Sequence, residues 1–180
     1  EFGLEIGAGL GCDVPALVHG SAVLMEGLGD RITGISGMPA SGASWWVVLV
    51  NPGFRVSTGD IYSRCKTALT SKEKTIDCMV SALKDGDVEL AGRSLFNGLE
   101  GLVFRKYPLI QMIAEELKKA GSLGVLLCGS GASLFGLARN ERHARSMAEC
   151  VRKTLEFPVW SKVARTLPDG VMAAHGPLEA

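Results

Sequence analysis

The stretch Trp45-Trp46-Val47-Val48-Leu49-Val50 is the longest uninterrupted apolar segment of the chain. Its length and its β-branched and aromatic residues predict a strand buried on both faces, because a half-exposed strand would alternate polar and apolar side chains. The turn residues Asn51-Pro52-Gly53 end this strand. The segment is also far too short to span a membrane, so we expect no transmembrane helix here.

The segments that follow this strand alternate between helical and strand patterns. Ser57-Thr58 predicts a helix start with a hydroxyl cap. Leu90, Leu95, Leu99 and Leu102 recur at helical spacing and predict one continuous helix. The further predicted helices span 71–85, 88–104, 108–119 and 141–155, and the further strands span 125–128, 133–138 and 158–166.

This element order predicts an α+β fold of the split βαβ, ferredoxin-like type. Upstream of it, residues 13–18 predict a short helix, and residues 21–27 and 30–35 predict a hairpin. The small, Pro- and Gly-rich residues 36–44 predict a loop or a domain boundary. We therefore divide the chain into a helix-plus-hairpin region (1–40), a ferredoxin-like domain (41–167) and a polar tail (168–180).

The charge balance argues against two classes of partner. The 180 residues include 19 Lys plus Arg and 19 Asp plus Glu, so the formal net charge is zero. A balanced chain has no global attraction to nucleic acid or to an anionic membrane surface. Phe135 is the only aromatic residue in the strands at 125–128 and 133–138, which argues against RNA binding on the sheet. We expect no nucleic acid and no membrane as partner.

The cysteines are scattered, odd in number and never arranged as C-x-x-C. This usage predicts neither a zinc site nor a disulfide framework, and it fits a reducing, cytoplasmic setting. We expect no metal ligands in this chain. The five cysteines are Cys12, Cys65, Cys78, Cys128 and Cys150.

A single acid stands in the segment Gly9-Leu10-Gly11-Cys12-Asp13-Val14-Pro15. Pro15 suits the first turn of a helix, so Asp13 is placed where an N-cap residue is favoured. The alternative is a carboxylate held as a general base at the floor of a cleft. Spacing alone favours the cap and leaves both interpretations open.

Two Gly-rich stretches are candidates for phosphate binding. Residues 7–11 match neither common nucleotide-binding fingerprint and contain no Lys to reach a phosphate. Gly129-Ser130-Gly131-Ala132 joins two predicted strands, which favours a tight hairpin with positive φ angles. Its functional alternative is a turn whose backbone N–H groups point at an anion.

Four motifs occur in one order along the chain: Gly11–Pro15, Asn51-Pro52-Gly53 with Ser57-Thr58 and Tyr62, Asn97-Gly98-Leu99-Glu100, and Leu127–Phe135. Together they resemble the C-terminal part of GHMP-superfamily kinases, over residues 5–166. More narrowly, they resemble the family that phosphorylates 4-diphosphocytidyl-2-C-methyl-D-erythritol in non-mevalonate isoprenoid biosynthesis. The Asp13-Val14-Pro15 motif discriminates that family, whereas Gly129-Ser130-Gly131 is shared across the superfamily.

The resemblance implies a role for each matching residue. Asp13 matches the catalytic aspartate that takes the proton of the substrate hydroxyl. Tyr62 matches the aromatic residue that stacks on cytosine, although a helix residue packed on the core is an equal alternative without the family. Thr58 and the Pro52-Gly53 turn would line the same cleft. Gly129, Ser130, Gly131 and Ala132 match a turn near the transferred phosphate.

The resemblance also implies the cofactors and the partner. ATP and Mg²⁺ would be bound mainly by an N-terminal half that these 180 residues do not contain, and the partner would be cytidine diphosphate-linked methylerythritol. We therefore expect this chain to be part of a longer kinase and to be inactive alone. The alternatives are a binding or interaction domain without catalysis, and another GHMP small-molecule kinase.

Three features depart from the family pattern. Cys128 stands where the family usually has Ser or Thr, and Ala16-Leu17 follow Pro15 where bulkier or aromatic residues are common. The third departure is the absence of the family's catalytic Lys and of its Gly-rich, Ser-containing ATP loop.

Overall fold

The computed structural model describes residues 11, 13–27, 29, 31–37, 44–65 and 73–167. These residues belong to two compact units. The first contains the described residues up to Ser44 together with Lys84–Gly86 and Leu167, and the second contains those of Trp45–Leu83 and Asp87–Thr166. Most of the Gly7–Gly11 stretch, Cys12 and the predicted tail at 168–180 lie outside the described residues.

The first unit is a short helix followed by a hairpin, as the sequence predicts. Helix α1 (Val14–His19) has Pro15 in its first turn, and it ends at Gly20, whose φ of 76° suits a residue without Cβ. Strands β1 (Val23–Glu26) and β2 (Arg31–Gly34) pair antiparallel, with Val23 opposite Gly34 and Glu26 opposite Arg31.

The second unit is built on a four-stranded antiparallel sheet. Its strands are β3 (Trp46–Asn51), β4 (Gly124–Leu127), β5 (Leu134–Ala138) and β6 (Trp160–Arg165). They lie side by side in the order β4-β5-β3-β6, so β3, the first of the four along the chain, lies between the third and the fourth. This is the split βαβ arrangement, and the predicted α+β, ferredoxin-like fold is confirmed.

Strand β3 is buried on both faces, as its unbroken apolar sequence predicts. Val48 and Val50 belong to one core cluster, with buried residues of the helices after position 99. Val47 belongs to a second cluster, with Ala82, Ala91 and Leu137. Because side chains alternate along a strand, the two clusters lie on opposite faces of the sheet. The helices are α2 (Thr58–Arg64), α3 (Glu73–Asp85), α4 (Val88–Arg93), α5 (Glu100–Lys106), α6 (Pro108–Lys119) and α7 (Glu141–Thr154).

The prediction of one helix over 88–104 is wrong. Helix α4 ends at Arg93, and helix α5 begins at Glu100. Leu90 and Leu95 pack in one core cluster, whereas Leu99 and Leu102 pack in the other. The four leucines therefore pack on two opposite faces of the sheet. The chain crosses the outer edge of β4 between Leu95 and Leu99.

Helices α6 and α7 show the predicted amphipathic patterns. Ile110, Ile113, Ala114 and Leu117 of α6 are buried, as are Ala144, Met147, Ala148 and Val151 of α7. Within the described part of the chain, no helix combines the length and the apolar character needed to cross a membrane.

Candidate functional site

Asp13 lies at the start of α1 in the first unit, and its side chain is exposed. Its backbone carbonyl accepts the N–H of Leu17 at 3.2 Å, but its side chain accepts no capping hydrogen bond. The capping interpretation therefore lacks the contact that defines it. The general-base role stays a prediction.

Helix α2 carries two of the predicted substrate-binding residues, Thr58 and Tyr62. Ser57 caps the helix by accepting the Asp60 N–H at 3.4 Å, so the predicted helix start is confirmed. The Thr58 and Ser130 hydroxyl oxygens are 2.9 Å apart and hydrogen-bonded. This bond joins the start of α2 to the turn between β4 and β5.

The 129–132 turn (Gly129, Ser130, Gly131 and Ala132) is a tight connection between β4 and β5. Gly129 and Gly131 have φ angles of 54° and 93°, which favour glycine, and the Gly131 N–H donates to the Cys128 carbonyl at 2.9 Å. The hairpin interpretation is therefore right about the backbone. The role toward an anion stays a prediction.

Asn51, at the end of β3, connects the predicted substrate turn at Pro52-Gly53 to the residue that follows the 129–132 turn. Its carboxamide N–H donates to the Ser133 hydroxyl at 2.8 Å, and its carboxamide oxygen accepts the Gly53 N–H at 2.7 Å. The Pro52-Gly53 turn and the chain after the 129–132 turn are thus tied to one side chain. No local sequence pattern predicts this role for Asn51.

An open cavity of about 420 Å³ lies beside the 129–132 turn. Tyr62 and Phe96 line it and are 52% and 47% exposed. The interpretation of Tyr62 as a core residue is therefore wrong. Burial raises the pKa of the Cys128 thiol, which also lines the cavity and stays protonated at neutral pH. The other lining residues are Asn97, Gly98, Leu99, Leu126, Leu127, Gly129 and Phe135.

One ion pair joins α2 to α5. The Asp60 carboxylate pairs with Lys106 of α5 and, at 3.0 Å, with Arg64 of its own helix. The hydrogen bonds from Lys106 and then from Arg64 hold the pKa of Asp60 below its usual value, while the Asp60 carboxylate raises the pKa of Lys106. Asp60 and Lys106 therefore stay charged at neutral pH, and their ion pair links the helix that carries Tyr62 to α5.

Comparison with known proteins identifies part of the second unit. Residues 79–156 match the family described as GHMP kinases C terminal. These residues form a GHMP kinase C-terminal domain. The expectation drawn from the four motifs is thereby confirmed for this part of the chain.

Relatives of this GHMP kinase C-terminal domain extend the match upstream. The chain is 37% identical over 153 residues to the 4-diphosphocytidyl-2-C-methyl-D-erythritol kinase of Pelotomaculum thermopropionicum, which covers 85% of this chain and 52% of the relative. A Geobacter protein of the same name is 37% identical over 151 residues. The chain spans about half the length of the curated relatives it matches.

Solved structures agree with the family assignment. A crystal structure of 4-(cytidine 5'-diphospho)-2C-methyl-D-erythritol kinase superposes with a TM-score of 0.69 at 28% identity, over 89% of this chain and 56% of that one. A homoserine kinase from Cytophaga hutchinsonii superposes with a TM-score of 0.68 at 19% identity, over 88% and 52%, and shows the shared fold alone.

Two residues of the GHMP kinase C-terminal domain enter the site without having been assigned a role from the sequence. Phe96 faces the same cavity as Tyr62, and Asn97 bonds to the backbone on both sides of Cys128. The motif Asn97-Gly98-Leu99-Glu100 was the available signal. It could not be interpreted because its partners are about thirty residues away in sequence.

Proposed function

We propose that this chain is the substrate-binding part of an ATP-dependent kinase that phosphorylates the 2-hydroxyl group of 4-diphosphocytidyl-2-C-methyl-D-erythritol. The observation that carries the proposal is the cavity in which the exposed Tyr62 ring lies beside the 129–132 turn. The relatives named for this kinase support it at 37% identity. Those kinase names also favour catalysis over a pure binding domain.

Tyr62 provides the recognition of the base. Its ring is half-exposed on a helix that the Asp60–Lys106 ion pair links to α5, so it offers a flat surface to a cytosine ring. Stacking of a base on an aromatic side chain contributes roughly 1–3 kcal/mol. Thr58 lies one helical turn before Tyr62, and its hydroxyl is hydrogen-bonded to that of Ser130. The hydroxyl that accepts in this bond can donate its own proton to the diphosphate of the same substrate.

Asp13 provides the base for the chemical step. Its carboxylate accepts the proton of the substrate hydroxyl while the hydroxyl oxygen forms a bond to the γ-phosphorus of ATP. The bond between that phosphorus and the bridging oxygen breaks, and ADP leaves with the electron pair. An exposed carboxylate without a capping bond is free for this role.

The described residues do not by themselves fit a magnesium site. Among them, no three His, Cys, Asp or Glu side chains converge on a point that could hold a metal ion. From the family resemblance, we propose that ATP and Mg²⁺ are bound mainly by an N-terminal half that these 180 residues do not contain.

The proposal is tested with the full-length protein, ATP and the cytidine-bearing substrate. We expect phosphorylation of the substrate, and we expect Tyr62→Ala to raise the KM for that substrate by about ten-fold or more, because one stacking contact is lost. Tyr62→Phe keeps the ring and should stay close to wild type. The KM for ATP should hardly change.

Trp160 provides a matched control, because it is another exposed aromatic residue of the second unit, with 55% of its surface exposed. Trp160→Ala should leave both KM values unchanged. An equal increase in KM for Tyr62→Phe and Tyr62→Ala would show that the hydroxyl, and not the ring, binds the substrate. Normal KM values in all Tyr62 variants would place the cytosine site elsewhere.

A further inference from the structure

The outer edge of β4 ends in two backbone groups that face away from β5. The Leu127 N–H donates to a carboxylate oxygen of Glu100 at 2.9 Å, and the Leu127 carbonyl accepts an N–H of the Asn97 carboxamide at 2.9 Å. Two side chains therefore bond to this edge as a neighbouring strand would. Leu127 itself is 1% exposed, so these bonds satisfy groups that water does not reach freely.

The Asn97 carboxamide also reaches the 129–132 turn. Its N–H group donates to the Gly129 carbonyl at 2.8 Å, and its oxygen accepts the Leu99 N–H at 2.9 Å. A carboxamide has two N–H donors and one carbonyl oxygen, and all three are used here. The side chain therefore has one position, fixed between the start of α5 and the start of the turn.

We propose that Asn97 is a positioning residue for the phosphoryl-transfer site, and that Glu100 completes the clamp by holding the last residue of β4. This inference rests on the proposed function, in which the 129–132 turn belongs to the active site. The Asn97–Glu100 clamp sets where β4 ends and where the turn begins.

The contacts of the turn explain why its position matters to the reaction. Ser130 bonds to Thr58 at the start of the helix that carries Tyr62, and Gly129 lines the same cavity as Tyr62. A shift of the turn thus moves the phosphate side of the site relative to the base side. Misplacement by about 1 Å can slow a positioned reaction by about 100-fold.

The first test uses the 180-residue chain and does not depend on catalysis. Asn97→Asp keeps the shape of the side chain, removes both N–H donors and points a carboxylate at two carbonyl oxygens. We expect amide hydrogen exchange in 128–134, including the Gly131 N–H, to accelerate about ten-fold or more, as expected when buried hydrogen bonds are lost.

Asn140 is the matched control for this variant. It caps α7 by accepting the His143 N–H at 2.9 Å, so Asn140→Ala removes an asparagine hydrogen bond at another place in the same domain. In Asn140→Ala, amide hydrogen exchange in 128–134 should stay at the wild-type rate. Wild-type exchange of this segment in Asn97→Asp would overturn the clamp.

The second test uses the full-length protein and separates positioning from folding. Asn97→Asp should lower kcat by about 10–100-fold and raise the KM for the cytidine-bearing substrate by less than Tyr62→Ala does, since Tyr62 and its helix remain. Asn140→Ala should change neither value. Faster exchange with a normal kcat would overturn the positioning role.

The two failures are distinguishable. If the wild-type protein does not phosphorylate the cytidine-bearing substrate, the proposed function is wrong, and the role in phosphoryl transfer is wrong with it. If the wild-type protein is active and Asn97→Asp raises only the KM, Asn97 serves substrate binding and the positioning role is wrong.

Discussion

The two edge strands of the sheet, β4 and β6, differ in the contacts made by their outer edges. Strand β4 has four residues, and its outer edge is bonded by Asn97 and Glu100. Its first residue, Gly124, is in direct contact with the backbone of Gly92 in α4. Strand β6 has six residues, pairs with β3, and carries exposed Trp160, Lys162 and Arg165.

The difference shows which edge must be held in a fixed position. Charged residues on an edge strand discourage pairing with another chain, but they do not fix the strand's position. Side-chain hydrogen bonds and a close backbone contact at a glycine do fix the position of a strand. The outer edge of β4 has both kinds of contact, and β4 leads directly into the 129–132 turn. We therefore attribute these contacts to the need of the site for a fixed turn.

The largest expected effect on stability is that of Gly92→Ala. A Cβ at this position would overlap the carbonyl of Leu123 and force α4 away from β4, which we expect to cost about 2–3 kcal/mol in free energy of unfolding. Gly59→Ala is the control, since a Cβ there meets nothing within 4 Å. That variant should be neutral or more stable by up to about 1 kcal/mol.

Urea denaturation of both glycine variants measures these changes. Equal stability of Gly92→Ala and Gly59→Ala would show that the contact between α4 and β4 yields without cost. The β4 edge would then differ from the β6 edge only in its hydrogen bonds.

Glu100→Ala should have the next largest effect. It leaves the N–H of Leu127, a residue that is 1% exposed, without a hydrogen-bond acceptor. We expect the free energy of unfolding to fall by about 1–2 kcal/mol. Glu100→Gln retains an oxygen acceptor and should stay within about 0.5 kcal/mol of wild type. Denaturation curves that give the same midpoint for Ala and Gln would contradict the edge role of Glu100.

The smallest effect is expected on the opposite edge. Lys162→Ala removes an exposed charge from β6, and its free energy of unfolding should change by less than about 0.5 kcal/mol. Hydrogen exchange in 128–134 should be unchanged. A faster exchange of that segment would mean that the two edges are coupled through the sheet and that β4 is not held locally.

Much of the fold could be predicted because periodicity is a local property. The unbroken apolar sequence of β3 predicts a central strand, and the buried residues of α6 and α7 recur at helical spacing within one segment. The failure at 88–104 has the opposite cause. Leu95 and Leu99 keep helical spacing although they pack on opposite faces, and periodicity cannot show that the target of packing changes.

The site was less predictable because its key contacts are long-range. Thr58 and Tyr62 were identified through motifs shared with a family, and the structure brings Thr58 to Ser130, 72 residues later. Asn97 bonds to residues 30 and 32 positions away, which no local pattern encodes. For Asp13 the structure removes the capping bond as an explanation, and its role as a base stays a prediction from the motif.

The central claim is that this chain supplies the base and the substrate pocket of a kinase. The most direct measurement is the turnover of the full-length protein with ATP and the cytidine-bearing substrate, compared between wild type and Asp13→Asn. Loss of a general base should lower kcat by roughly 10²–10⁴-fold, while nucleotide binding is unchanged. Normal turnover of Asp13→Asn would contradict the assignment of Asp13 as the base.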